Sequence, residues 1–429
     1  MTTPMLRRVA PGDVARELRP PVDGATLADA GRIIEDVRAR GEVAVREFAE
    51  RFGERRPDEP LVLDRDAMRS ALEALDGDAR GVLERAANRI ARFAEAQRAS
   101  FADLDTAVPG GRAGHALVPV CAAGCYAPAG RYPLPSSVLM TAVPARVAGC
   151  DRVVLASPGA HPVAVAAAAI AGADAFLAVG GAHAVAALAY GFDGFDRVDI
   201  IAGPGNRWVT AAKQLVSGIV GIDMLAGPSE LLVIADDSAD PTVVAADLLA
   251  QAEHDADAMP LLVTTSASLA DGVDEAISSQ LEQLATAGVA RQALRNGIAC
   301  VCGSTDELVR VADGLTAEHV QVFVRDAADF AGRLRHAGAL FIGESSAEVL
   351  GDYGAGPNHT LPTGGTARFR AGLSVLDFLR PRTWLDVAPA ADPAGYAEVV
   401  RDAAALAAME GLDGHRRAAL ARGSATAAR

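Results

Sequence analysis

Lysine is almost missing from this chain. Of 40 basic residues in 429, only Lys213 is a lysine. Schiff-base chemistry and the phosphate-cradling GxxxxGK[ST] loop both need a lysine in a defined setting, and Lys213 lies in no such motif. Positive charge is outweighed as well. The formal net charge is −15 and no basic block occurs anywhere, so neither nucleic acid nor a membrane is expected as a partner. Aromatic residues make up only 4%, which leaves the core to Ala, Val, Leu and Ile. The five cysteines (Cys121, Cys125, Cys150, Cys300 and Cys302) are odd in number and contain no CxxC pair. That usage fits reduced thiols in the cytoplasm better than a disulfide framework. Long apolar runs are absent too. The most apolar stretch, 162–189, is broken by Gly172, Asp174, Gly180, Gly181 and His183, and is expected to be helix, strand and helix inside a core rather than a membrane span. The residues after Met1 lead into no apolar segment of the secretory type.

At this length two or more domains are expected. The first hundred residues carry apolar positions three and four apart, predicting helices over 27–53 and 64–101 with breaks at Gly41 and at 76–78. From about residue 150 short Val/Ile/Leu runs alternate with Ala-rich segments. Strands are predicted at 152–157, 175–180, 198–203, 230–236, 260–265, 297–303 and 339–344. Strands alternating with helices of this length imply an α/β fold with mainly parallel sheets, and there are enough of them for two doubly wound sheets. The Gly- and Pro-rich stretch 351–369 (GDYGAGPNHTLPTGGTARF) lacks apolar periodicity. A loop so long inside a compact domain points to function.

Few groups can carry chemistry. Gln251 and His254 end an apolar helical run and, three apart, share one face. They are either a binding face or a polar helix end. With Asp352 and His415 they could form a nitrogen and oxygen set for zinc or a similar cation, although nothing in their long-range spacing brings them together. Glu318 and His319 stand at the mouth of a predicted strand, where alternation sends neighbouring side chains to opposite faces. Such a pair suits two separate acid/base tasks, or is a solvated loop pair. GPGNRW (203–208) turns from a predicted strand into a helix, and VGGAHAV (179–185) does the same. Either turn could hold a phosphate at a helix amino end or simply be tight. The dinucleotide fingerprint GxGxxG is missing.

Taken together these stretches resemble one family. IDMLAGPSELLVIADDSADPTVVAADLLAQAEH (222–254) resembles the signature segment of histidinol dehydrogenases. CYAPAGRYPLPSSVLMTAVPARVAGC (125–150), GPGNRWVTAAKQ (203–214), AEH (317–319), GDYGAGPNHTLPTGGTARF (351–369) and EGLDGH (410–415) resemble its other blocks in the same order. The resemblance implies oxidation of L-histidinol to L-histidine through an aldehyde, with two NAD and one zinc per site. It implies Gln251, His254, Asp352 and His415 as zinc ligands that also touch substrate, and Glu318 and His319 as the acid/base pair. Ser229, His359 and Glu410, with His319, would contact substrate; Tyr126, His183 and Asn206 would contact NAD. It further implies two Rossmann-like doubly wound domains with small helical N- and C-terminal extensions, in an intertwined homodimer whose sites are shared between subunits. The implied boundaries are an extension over 1–20, one domain from 21–127 plus 231–368, a second over 128–230 on the NAD side, and a small domain over 369–429. The chain departs from the family pattern at His183, where Gln is usual, at Ala317 for Pro, at Trp208 for Tyr, and at Arg131-Tyr132. These departures lie on the cofactor side and the pocket rim, so a related dehydrogenase of another small polar alcohol, such as a sulfonated diol, is the alternative. A non-catalytic zinc- or ligand-binding relative is a remoter one.

Overall fold

The computed structural model describes residues 4–17, 22–129 and 132–427; Arg131 lies outside them. The chain divides into two units, Met1–Gln97 with Val120–Phe378, and Arg98–Pro119 with Leu379–Arg429.

The first unit holds two six-stranded sheets. One runs, in spatial order, Val62–Leu63, Ala175–Leu177, Arg152–Ala156, Ala122–Tyr126, Ile200–Ala202 and Gly221–Ile222. It is parallel apart from Val62–Leu63, which pairs antiparallel with 175–177. The other runs Arg7–Arg8, Ile298–Val301, Met259–Thr264, Glu230–Ala235, His319–Phe323 and Ala339–Ile342, all parallel. Its central strands, Met259–Thr264, Glu230–Ala235 and His319–Phe323, are buried along their whole length. Their near-continuous apolar sequence follows from that, because helices cover both faces of a parallel sheet. In each sheet the chain first builds outward on one side and later returns to the other. The reversal falls between 122–126 and 200–202 in one sheet, and between 230–235 and 319–323 in the other. Ligands of doubly wound sheets bind at such switch points.

The predicted helices form, with breaks at Gly41 and at 74–76, the second just ahead of the expected 76–78. Gly24–Arg40 is capped by Asp23, whose carboxylate accepts from the Thr26 amide, and it stops at Gly41 with φ 57°. That left-handed conformation suits glycine. Arg65–Glu73 and Gly77–Ala99 flank the second break. The seven predicted strands are all present, six of them shortened by one or more residues and 260–265 shifted to Met259–Thr264.

The strands group differently from the expected boundaries. Ala122–Tyr126 pairs with 152–156 and 200–202, so it belongs with the segment 128–230 and not with 231–368. Arg7–Arg8 is an edge strand paired with Ile298–Val301, so part of 1–20 is built into a sheet. Each strand joins the sheet whose edge its backbone can satisfy, and composition carries no record of that choice.

The second unit is an antiparallel sheet, Leu379–Val387, Gly111–Pro119 and Leu104–Val108, with the helices Pro393–Met409 and Asp413–Ala427. The C-terminal segment thus recruits 98–119 as well, and is not purely helical.

Candidate active site

In the second parallel sheet the chemistry collects at the amino edge of the two central strands. Ser229 and Glu230 open one strand; Glu318 and His319 open its neighbour. The helix Pro241–Ala252 runs back from the far edge, as a crossover helix must, and delivers Gln251 and His254 to the same edge. The short helix Glu348–Asp352 packs against it and adds two carboxylates four residues apart.

Glu318 is buried, and one oxygen, Oε2, accepts both from Ser229 Oγ at 2.7 Å and from the Glu230 amide at 2.9 Å. The same Oε2 is 3.6 Å from His319 Nδ1. The two side chains therefore meet, contrary to the expectation of opposite faces. Glu318 precedes the first strand residue, where the pleat does not hold, and the Ser229 hydroxyl and Glu230 amide turn its carboxylate toward the imidazole. His319 Nδ1 also lies 3.3 Å from the Glu230 carbonyl. A carbonyl only accepts, so Nδ1 carries a proton. Nε2, buried and without a hydrogen-bond partner, lies 3.6 Å from Asp352 Oδ1. This is the nitrogen at which a proton can be exchanged.

Around this pair the charge is crowded and of one sign. Burial alone would lower the His319 pKa, but Glu348, Glu318 and Asp352 together raise it to about 10. Burial pushes Glu348 up to about 8, and burial with the neighbouring Glu318 does the same for Glu230. Glu318 is raised, again mainly by burial. Asp352 resists its own burial and is held low by the imidazoles of His319, His359 and His254 around it.

His254, Glu348 and Asp352 each bring a ligand atom within 4.8 Å of the others. Both Glu348 carboxylate oxygens and both amide atoms of Gln251 are buried without a hydrogen-bond partner, Glu348 Oε1 lying 3.4 Å from His319 Nδ1. Uncompensated polar atoms at such density are rare in folded chains, and oxygen and imidazole donors converging on one point fit a divalent cation. His359 sits beside this group, with Nδ1 2.9 Å from the Asp352 carbonyl and Nε2 3.1 Å from Ser137 Oγ.

A family model described as histidinol dehydrogenase matches residues 22–423. The chain belongs to the histidinol dehydrogenase family. It is 45% identical to a histidinol dehydrogenase of Parasynechococcus marenigrum over 89% of this chain and 88% of that one. It is 44% identical to one of Thermus thermophilus, over 90% and 92%. The crystal structure of histidinol dehydrogenase from Elizabethkingia anophelis superposes with a TM-score of 0.91 at 29% identity, covering 99% of this chain and 100% of that one.

Of the residues that family resemblance singles out, Ser229, Gln251, His254, Glu318, His319, Asp352 and His359 all lie in the first unit at this sheet edge or in the elements packed on it. Tyr126, His183 and Asn206 gather at the other parallel sheet, beyond the carboxyl ends of its strands. Tyr126 ends the strand 122–126, and its buried hydroxyl accepts from the Gly181 amide at 3.0 Å. Asn206 caps the helix Arg207–Val216 by accepting from the Trp208 and Val209 amides. His183 is buried against the stacked Phe48 and Phe52 rings, with Nε2 2.9 Å from Glu54 Oε2. Direct contact of that nitrogen with a dinucleotide would require Glu54 to release it. Glu410 and His415 belong to the second unit, where both are exposed, at the carboxyl end of one helix and the start of the next.

Sequence reasoning passed over Glu348, Glu230 and Glu54. Glu348 could have been found, since SAEVLGD places it one helical turn before Asp352. Glu230, an acid heading the apolar strand ELLVIA, was a second signal. Glu54 was not legible, because it reaches His183 across 129 residues.

The crowding has a measurable consequence for the protein held in chelator. Glu230 and Glu348 have folded pKa values raised from 4.5 to about 8. Their contribution to stability is complete below pH 4.5 and is lost as pH rises through 8. His319, raised from 6.5 to about 10, has the same sign, and its contribution is lost between those values. The melting temperature in chelator is therefore expected to fall steadily from pH 5 to pH 9. Differential scanning fluorimetry checks this, and a rise over that window would contradict it.

Proposed function

We propose that the chain oxidises L-histidinol to L-histidine through L-histidinaldehyde, using two NAD and one zinc ion per site. The observation that carries this reading is His319, whose Nδ1 faces Glu318 and whose buried, unpartnered Nε2 lies next to Asp352 of the His254–Glu348–Asp352 cluster. Gln251, His254 and Asp352 would hold the zinc, with His415 supplied by a second copy of the chain. When bound there, zinc would supply a Lewis acid for an amino and imidazole substrate and offset the carboxylates around His319, and NAD would be the hydride acceptor.

The chain's own groups then divide the work. His319 Nε2 takes the proton of the substrate hydroxyl, and its orientation is fixed by Nδ1–H donating to the Glu230 carbonyl. Glu318, held through a single oxygen by Ser229 and the Glu230 amide, keeps its other oxygen for a water that adds to the aldehyde. Burial raises its pKa toward the range in which a carboxylate is an effective base. His359 and Ser229 line the substrate's place, and Glu410 pairs with its ammonium group. Tyr126, Asn206 and His183 stand on the NAD side, at the switch point of their sheet.

Shared sites in a homodimer form part of this proposal. The second unit leaves Leu385, Leu406 and Met409 exposed, Met409 at 82%, and a second copy of the chain would cover that apolar surface. A cytoplasmic setting is supported by five cysteines that are all free. Among the described residues no helix is long and apolar enough to cross a membrane.

The test is stoichiometry. Zinc-loaded protein with limiting L-histidinol should yield two NADH per substrate consumed. One NADH with accumulating aldehyde, or turnover of a sulfonated diol in preference to L-histidinol, would overturn the reading.

A further inference from the structure

The chain's single lysine is fully buried. Lys213 lies on the helix Arg207–Val216 and forms an ion pair with Asp223, with 2% and 0% of the two side chains exposed. Both grip the same residue. Lys213 Nζ donates to the Gly203 carbonyl at 2.7 Å, and the Gly203 amide donates to Asp223 Oδ2 at 2.7 Å. Asp223 Oδ1 accepts in addition from the Met224 amide at 2.6 Å. The strand before the turn, the helix after it and the segment after Gly221–Ile222 are thus tied at one point.

Stability alone is a poor reason for this arrangement. A buried ion pair loses so much solvation that an apolar pair of similar volume usually serves the fold as well or better. What distinguishes this pair is the residue it holds. Gly203 has φ +129°, and a Cβ there would come within 2.0 Å of the Tyr126 carbonyl oxygen. The turn Gly203–Asn206 is therefore pressed directly on Tyr126, between the two strands where the sheet reverses its order. Three residues on, Asn206 caps the next helix with its side-chain oxygen. A small displacement at Gly203 would move that helix end and the Tyr126 contact together.

We propose that Lys213 and Asp223 are positioning residues for the dinucleotide, clamping both polar groups of Gly203 so that the turn 203–206 meets NAD in one fixed conformation. The inference rests on the NAD-dependent reading above. Lys213→Met alone strands the Asp223 carboxylate and should melt at lower temperature. The informative variant is Lys213→Met/Asp223→Asn, which removes both charges together. In zinc-loaded protein its KM for NAD should rise roughly tenfold or more, the scale of a small misplacement in a binding site, while KM for L-histidinol and zinc content stay near those of the parent. Lys213→Gln, which keeps a donor for the Gly203 carbonyl, should fall between the two, and serves as the kinetic test if the double variant does not fold. A folded double variant, or in its place Lys213→Gln, with the parent's KM for NAD would overturn the proposal. Thermal shift separates this from failure of the parent reading. NAD should raise the melting temperature of the parent and not of the double variant, whereas a parent chain that neither responds to NAD nor forms NADH refutes the parent reading itself.

Discussion

Replacing His319 with asparagine should lower NADH formation from L-histidinol by about two to four powers of ten, the usual span for removing a general base. The size follows from the isolation of Nε2. It is buried and unpartnered, with the Asp352 carboxylate 3.6 Å away as its nearest charged neighbour, so no other group in the site stands ready to replace it. Asparagine keeps a donor for the Glu230 carbonyl, which confines the loss to the proton-accepting nitrogen. The pH profile gives an independent check. In the zinc-loaded parent the rising limb of kcat should report loss of the His319 proton, and in the variant that limb should vanish. Glu318→Gln separates the half-reactions. It retains an oxygen for Ser229 but has no basic one for water, so it should release aldehyde after one NADH. A His319→Asn enzyme that keeps parental kcat would remove His319 from the mechanism, and a Glu318→Gln enzyme that still yields two NADH would remove Glu318.

How much of this was legible beforehand depended on the range of the interaction. Helix breaks at Gly41 and near 77, and seven parallel strands, were written locally in glycine conformation and apolar runs. Gln251 and His254 shared a helix face by spacing alone, yet the same spacing was compatible with a polar helix end. Nothing local tied them to Asp352, about a hundred residues later, so only the family pattern suggested the site. The strands 104–108, 111–119 and 379–387 were not predicted. Their exposed, mixed composition (Leu385 is 68% exposed) gives no clean alternation, and their pairing joins distant parts of the chain. Glu318 and His319 failed in an instructive way. Strand alternation begins only at His319, and a serine hydroxyl and one backbone amide are enough to turn the Glu318 carboxylate round.

Removal of zinc should have the second large effect, and it should appear in stability as well as turnover. Chelation is expected to abolish NADH formation, and added zinc to restore it. The stability change follows from the charges left behind. Glu348 and Asp352 stand beside His254, and Glu318 and Glu230 lie close to the imidazole of His319, so four acids crowd one buried site. An ion bound at a hundred times its dissociation constant stabilises the folded state by about 2.7 kcal/mol. At low pH, Glu348 and Glu230 take up protons and relieve part of the repulsion themselves, since their pKa values stand near 8. At pH 9 they cannot. The gap in melting temperature between zinc-loaded and chelated protein should therefore widen from pH 6 to pH 9, as metal-linked deprotonation requires. His254→Ala, which removes a half-exposed donor without emptying the core, should weaken zinc retention and narrow that gap at every pH. A gap that stays constant across this range would place the metal away from the Glu348–Asp352 cluster, the one group of His, Cys, Asp and Glu among the described residues that brings three such ligand atoms together.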